Sequence, residues 1–158
     1  MVCGSGFLCS SGSCAVDPAS RWNVVLESLT VPATRYDGAG WDTIGGNPDP
    51  LVALIIGSST ATPVNSGSGS DTYSVTFPGG PTATDVRADA LQAFLGFNVR
   101  DDDSPAASES IGYCTYDPTR GSPLPAAVFT ETTQTVDCGL DAPTMNSGFT
   151  LTWHLERF

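Results

Sequence analysis

Residues 101–103 are three consecutive aspartates, and a further carboxylate, Glu109, follows in the same polar stretch. Carboxylates this close repel, so a folded chain must separate them or supply positive charge. Ca²⁺ is the natural counter-charge, since it takes roughly six to eight oxygen ligands and favours carboxylates and carbonyls. A solvated acidic turn is the plainer alternative. A second acidic stretch, rich in glycine, runs from Asp37 through Asp42 to Asp49. Both stretches adjoin apolar runs, so the elements that carry them decide whether they can meet.

The elements read as short strands. Trp22 to Val31 is β-branched and apolar and stops at Pro32. Pro50 to Ile56 is a continuous apolar run suited to a buried strand. Residues 57–71 are mostly Gly, Ser, Thr and Asn and read as a flexible loop. Tyr73, Val75 and Phe77 alternate onto one face of a strand over 72–77. Asp85 to Asp89 is ambiguous and could hold a helical turn. Leu91 to Val99 is strongly apolar and delivers the chain into the aspartates. Ile111 to Tyr116 is another short strand, and 126–138 contains a Thr-rich one. In 149–158, Phe149, Leu151, Trp153 and Leu155 alternate inward. No amphipathic helix of ordinary length is visible. Short strands punctuated by Gly and Pro predict an all-β, antiparallel sandwich over 21–158.

Composition narrows the function classes. The 158-residue chain suits one domain with a full core. It carries six arginines, no lysine and 17 acidic residues, a formal net charge of -11. Such a balance argues against nucleic acid as a partner and against direct attraction to anionic lipid. No run reaches the roughly 20 apolar residues that would span a bilayer. The first residues have neither a basic region nor an apolar stretch, so they do not read as a signal peptide. The expectation is a chain that begins inside a longer precursor or has lost its signal.

Three of the five cysteines, Cys3, Cys9 and Cys14, crowd among Gly and Ser in residues 1–20. That segment reads as the end of a disulfide-held module, with zinc disfavoured because no Cys-x-x-Cys pair is present. An odd number leaves one cysteine to pair elsewhere. Cys114 and Cys138 flank the penultimate strand region and are expected to pair, the alternative being two buried thiols. Cysteine usage of this kind implies an oxidising, extracytoplasmic compartment, secreted or at the cell surface.

The two acidic loops resemble those of the calcium-binding C2 domain, a sandwich of about eight strands. Its third calcium loop reads as a strand ending in Val, then Asp-x-Asp, a later acidic residue, and Gly. Val99, Asp101, Asp103, Glu109 and Gly112 supply that order. The first loop of the family enters a strand through Asp-Pro-Tyr-Val, matched here by Asp49, Pro50, Leu51 and Val52, with Leu51 in place of Tyr. An earlier aspartate partners it in the family, and Asp42 takes that part if one residue is inserted, with Asp37 as the fallback. The resemblance implies Ca²⁺ on Asp42, Asp49, Asp101, Asp103 and Glu109, and the alternation of side chains in an extended stretch turns Asp102 away. Glu109 stands where Asp is commoner, and the family's basic lipid-binding cluster has no counterpart here. The resemblance also implies apolar loop tips that meet a membrane or ligand: Trp41 and Ile44 on the first loop and Pro105 on the second, with a buried loop-packing role the alternative for Trp41.

Function therefore reads as a secreted calcium-binding docking module, its partner a phospholipid surface or another extracellular protein. A structural or adhesive sandwich in which calcium only stiffens loops is the alternative, and calcium-assisted carbohydrate binding through Trp41 is a third. An enzyme is not expected. His154 is the only histidine, and no Gly-x-Ser-x-Gly elbow or phosphate-cradling glycine loop is present.

Overall fold

The longest strand, β3 (Arg21–Thr30), sets the first sheet. Trp22, Val24 and Leu26 face the core by strict alternation, which would then turn Leu29 outward. A bulge corrects this. Leu26 opposes Trp153 and Ser28 opposes Thr152, so Glu27 is the extra residue and Leu29 returns inward. This geometry belongs to a computed structural model, which describes residues 2–41, 46–103, 108–139 and 146–158.

Eleven strands form among the described residues. After the hairpin of β1 (Phe7–Ser10) and β2 (Ser13–Val16) and then β3 come β4 (Pro50–Ile56), β5 (Val64–Ser68), β6 (Ser74–Thr76) and β7 (Ala83–Arg87). A six-residue helix α1 (Ala88–Ala93) precedes β8 (Leu95–Asp101), β9 (Glu109–Tyr116), β10 (Gln134–Cys138) and β11 (Phe149–Arg157). One sheet has the order β10-β11-β3-β6, with β7 also paired to β3; the other is β5-β4-β8-β9. Every pairing is antiparallel. The sandwich expected from the punctuation of the sequence is the observed architecture.

Between the sheets lies a core of Trp22, Leu26, Leu29, Val52, Leu54, Phe97, Val99, Leu151, Trp153 and Leu155. Phe97 and Trp153 meet across it with ring centroids 5.2 Å apart. Burying side chains of this size contributes about 1.5–3 kcal/mol each, which drives the sheets together.

One local expectation needs correction, and three stretches divide more finely than the sequence pattern indicates. Residues 57–71 are not simply a loop, because Val64–Ser68 forms β5 at a sheet edge. Four of its five residues are exposed, so an edge strand can consist of Ser, Gly and Asn without an apolar pattern. The ambiguous stretch 85–89 divides between β7 and α1. The apolar run 91–99 likewise splits, its first residues completing α1 and the rest forming β8. Within 126–138 only β10 is a strand; Ala126–Thr130 is a 3₁₀ turn that buries Val128 and Phe129.

At the N-terminus, Ser11 and Gly12 both have positive φ, 49° and 81°, as a two-residue primed turn requires. Phe7 and Val16 pack against the sandwich core, while Cys9 and Cys14 stay exposed. Cys114 and Cys138 stand at disulfide distance, their Cα atoms 6.1 Å apart. They join β9 to β10, edge strands of opposite sheets.

Candidate functional site

Register gathers the acids at one end of the sandwich. Pro50 opposes Asp101, and Asp101 opposes Glu109, on three neighbouring strands. A second bulge makes the last match possible. Val99 opposes Gly112 but Arg100 opposes Ser110, so Ile111 is extra and the end of β9 shifts toward Asp101. Gly112 beside this bulge is closely enclosed. A Cβ there would approach the Phe149 ring to 2.9 Å and the Asn146 side chain more closely still.

Asp101 is fully buried, at 0% exposure, where β8 ends. One of its oxygens accepts the Asp49 N–H at 2.6 Å. The Asp102 N–H in turn donates to the Asp49 carbonyl at 3.0 Å. Asp49 thus joins the two acidic stretches through its backbone on both sides. Its own carboxylate accepts the N–H of Asp71 in a short hydrogen bond. Asp71 repeats the device, its carboxylate accepting the Asn47 N–H at 2.7 Å. Asp103 lies half-buried just beyond β8.

Glu109 has a different neighbour. Its Oε2 stands 2.7 Å from Nη1 of Arg35, whose Nε is 4.0 Å from Asp37. The pair is partly exposed, so its net worth is at most about 1 kcal/mol. Its position matters more: a guanidinium occupies the side of the site where Glu109 was expected to hold an ion. Asp37, the fallback ligand, also closes a turn by accepting the Ala39 N–H at 3.0 Å.

The structure therefore brings together Asp49, Asp101 and Glu109, with Asp103 adjacent in the chain. Asp42, Ile44 and Pro105 lie outside the described residues. Trp41 does not act as an exposed tip. It is 4% exposed, belongs to the core, and donates its indole N–H to the Pro32 carbonyl at 2.9 Å. An aromatic held in that way presents no free face to a membrane or to a sugar ring. Burial won over exposure because Trp41 closes the core beneath the first loop.

Two residues of this end were missed in the sequence. Arg35 is the sole cation of the first loop, and in a chain with so few cations that placement was a usable signal. Asp71 was hidden by its Gly/Ser surroundings, although it stands two residues from an alternating run as a turn-forming acid would.

The donor set suits a hard cation. Asp49, Asp101 and Asp103 offer only oxygen, and Ca²⁺ is held by such ligands together with carbonyls. Glu109 does not fit the same role while Arg35 holds it. Among the described residues, no three carboxylates bring their oxygens within 4.8 Å of one another; the one group of three metal-capable side chains that close is Cys3, Cys9 and Cys14.

Solved structures that share this fold include C2 domains. A C2 domain of plant Extended Synaptotagmin 1 superposes with a TM-score of 0.58 at 13% identity, covering 90% of this chain and 98% of that one. Another C2 domain gives 0.53 at 12% identity over 87% and 98%. The calcium-bound pair of C2 domains from Extended-Synaptotagmin 2 gives 0.53 at 15% identity, covering 89% of this chain and 46% of that one. No family model matches the sequence, and no curated protein matches it.

Proposed function

We propose that this C2-type sandwich is a secreted calcium-binding module that docks onto a membrane surface or an extracellular protein. The observation that carries the reading is Asp101, a fully buried carboxylate set in register between Pro50 and Glu109 and bonded to Asp49. Burying a carboxylate is expensive unless positive charge and hydrogen bonds compensate it. Asp49, Asp101 and Asp103 would hold the cation, which would supply the charge that the acidic loops lack. Asp42 joins them if the first loop matches the family pattern. With a net charge of -11, approach to an anionic lipid surface needs that neutralisation first. The density of cysteines supports the extracytoplasmic location.

A second reading has its own observation. The N–H groups of Asp49, Asp71 and Asn47, together with Arg35, already tie the loops through their carboxylates. In that case the end is a rigid structural cap, and calcium is dispensable.

Thermal melting in calcium and in chelator separates the two. An extracellular module binds Ca²⁺ at roughly 10⁻⁴–10⁻³ M. At ten times Kd, binding to the folded state adds about 1.4 kcal/mol, or about 3–6 °C for a chain of this length. An unchanged midpoint would favour the structural cap. Liposome co-sedimentation with and without calcium then distinguishes a lipid partner from a protein one.

A further inference from the structure

The N-terminal hairpin holds more sulfur than one disulfide can use. Cys9 and Cys14 are direct partners across β1 and β2. Ser10 and Ser13 close the two-residue turn, so Cys9 and Cys14 form the next, non-hydrogen-bonded pair, in which side chains approach most closely. Cys3 reaches both of them, with Cα–Cα separations of 5.8 Å to Cys9 and 5.7 Å to Cys14, each within the span of a disulfide. All three sulfurs lie within 4.8 Å of one another. One sulfur cannot keep two disulfide partners, and Cys114 is committed to Cys138. With both intramolecular bonds made, one of the three hairpin sulfurs has no partner among the described cysteines.

We propose that the hairpin is a thiol–disulfide exchange site. Cys3 is its central sulfur, and the thiol moves between Cys9 and Cys14. The Cys3 N–H donates to Cys9 Sγ at 3.0 Å. A donor to sulfur favours the thiolate, the form that attacks disulfides. Cys9 and Cys14 are exposed, so the nucleophile is accessible.

Two steps follow, and neither needs an oxidant. Within the hairpin, the Cys9 thiolate attacks Cys3 Sγ; a Cys3–Cys9 bond forms, the Cys3–Cys14 bond breaks, and Cys14 leaves as thiolate. Toward a ligand, the available thiolate attacks a disulfide R–S–S–R; a mixed disulfide forms, and R–S⁻ leaves to take a proton from water. The ligand class is a disulfide, from a small molecule or from a second copy of this chain. Nothing in this chemistry depends on the acidic end of the sandwich.

Alkylation of the unreduced, denatured protein tests the thiol, and peptide mapping tests the exchange. The expected result is one alkylated cysteine per chain, divided between Cys9 and Cys14, with both Cys3–Cys14 and Cys3–Cys9 peptides present. Oxidised glutathione should add one glutathionyl group per chain, and Cys9→Ser or Cys14→Ser should abolish it. Those variants lie on exposed hairpin positions outside the two large sheets, and an unchanged far-ultraviolet circular dichroism spectrum verifies folding. A glutathione adduct on the monomer identifies a small-molecule disulfide as sufficient, and a disulfide-linked dimer that still holds two thiols identifies the second copy, since exchange conserves thiols. Either supports exchange, whereas a dimer with no thiol left is a product of oxidation and counts against it. Absence of any thiol in a monomer, three alkylatable thiols, or a lone Cys9–Cys14 bond with alkylation only at Cys3 would overturn the proposal.

Discussion

Removing the Cys114–Cys138 link by the double change Cys114→Ala/Cys138→Ala should lower stability by about 3.5 kcal/mol. The bond closes a sequence separation of 24, and the chain-entropy relation assigns a loop of that size about 12 cal/mol/K, or roughly 3.5 kcal/mol at room temperature. The folded-state setting favours the full effect, because the link joins the edge strands β9 and β10 of opposite sheets. For a chain of this length, 3.5 kcal/mol corresponds to about 7–14 °C in melting temperature. The assay is a thermal melt followed by circular dichroism. Reductant should bring the native sequence close to the double variant while changing the variant little, since the remaining cysteines sit on the separate hairpin. A drop below about 2 °C, under 1 kcal/mol on the same scale, would refute the view that this bond ties the sheets together.

Other perturbations follow from the same geometry. Gly112→Ala forces a Cβ against Phe149 and Asn146, and should cost about 1–3 kcal/mol in chemical denaturation, as overpacking does. Asp117 caps the turn at Pro118–Arg120, and its carboxylate accepts from the Thr119 hydroxyl at 2.6 Å and the Thr119 N–H at 2.9 Å. The Thr119 hydroxyl first, then its N–H and Arg120, hold the Asp117 carboxyl below its ordinary range against the opposing effect of burial. A lowered folded value means stability that is present above the unfolded pKa of about 4 and lost as pH falls through the folded value. The melting difference between the native sequence and Asp117→Ala should therefore narrow in that acid window; a difference independent of pH would contradict the assignment.

What the sequence revealed depended on how far each signal was local. Strand β4 was legible to its ends because a continuous apolar run is bounded by Pro50 and Gly57. Strand β11 was legible because its alternation is unbroken from Phe149 to Leu155, and all four inward residues are buried. Strand β5 was not, since an exposed edge strand takes its partner's hydrogen bonds and needs no apolar side chains of its own. Of the acidic end, the order of Asp49, Asp101 and Glu109 was visible, but their meeting depends on the Ile111 bulge, which pairing alone defines. Arg35 and Asp71 enter by tertiary contact, Arg35 with a residue far along the chain and Asp71 across to Asp49. Trp41 left two readings open, an exposed loop tip or a ring packed beneath its own loop, because a glycine-rich stretch carries no periodicity to choose between them; the structure selects the packed one.

Calcium binding at the Asp49 and Asp101 end is tested most directly by calorimetric titration of the chelator-treated protein with Ca²⁺, beside Asp101→Asn. Asparagine preserves the acceptor for the Asp49 N–H while removing the charge. Saturable binding at roughly 10⁻⁴–10⁻³ M is expected of the native sequence, and the variant should lose it. No heat of binding in the native sequence, or equal binding in Asp101→Asn, would contradict the claim.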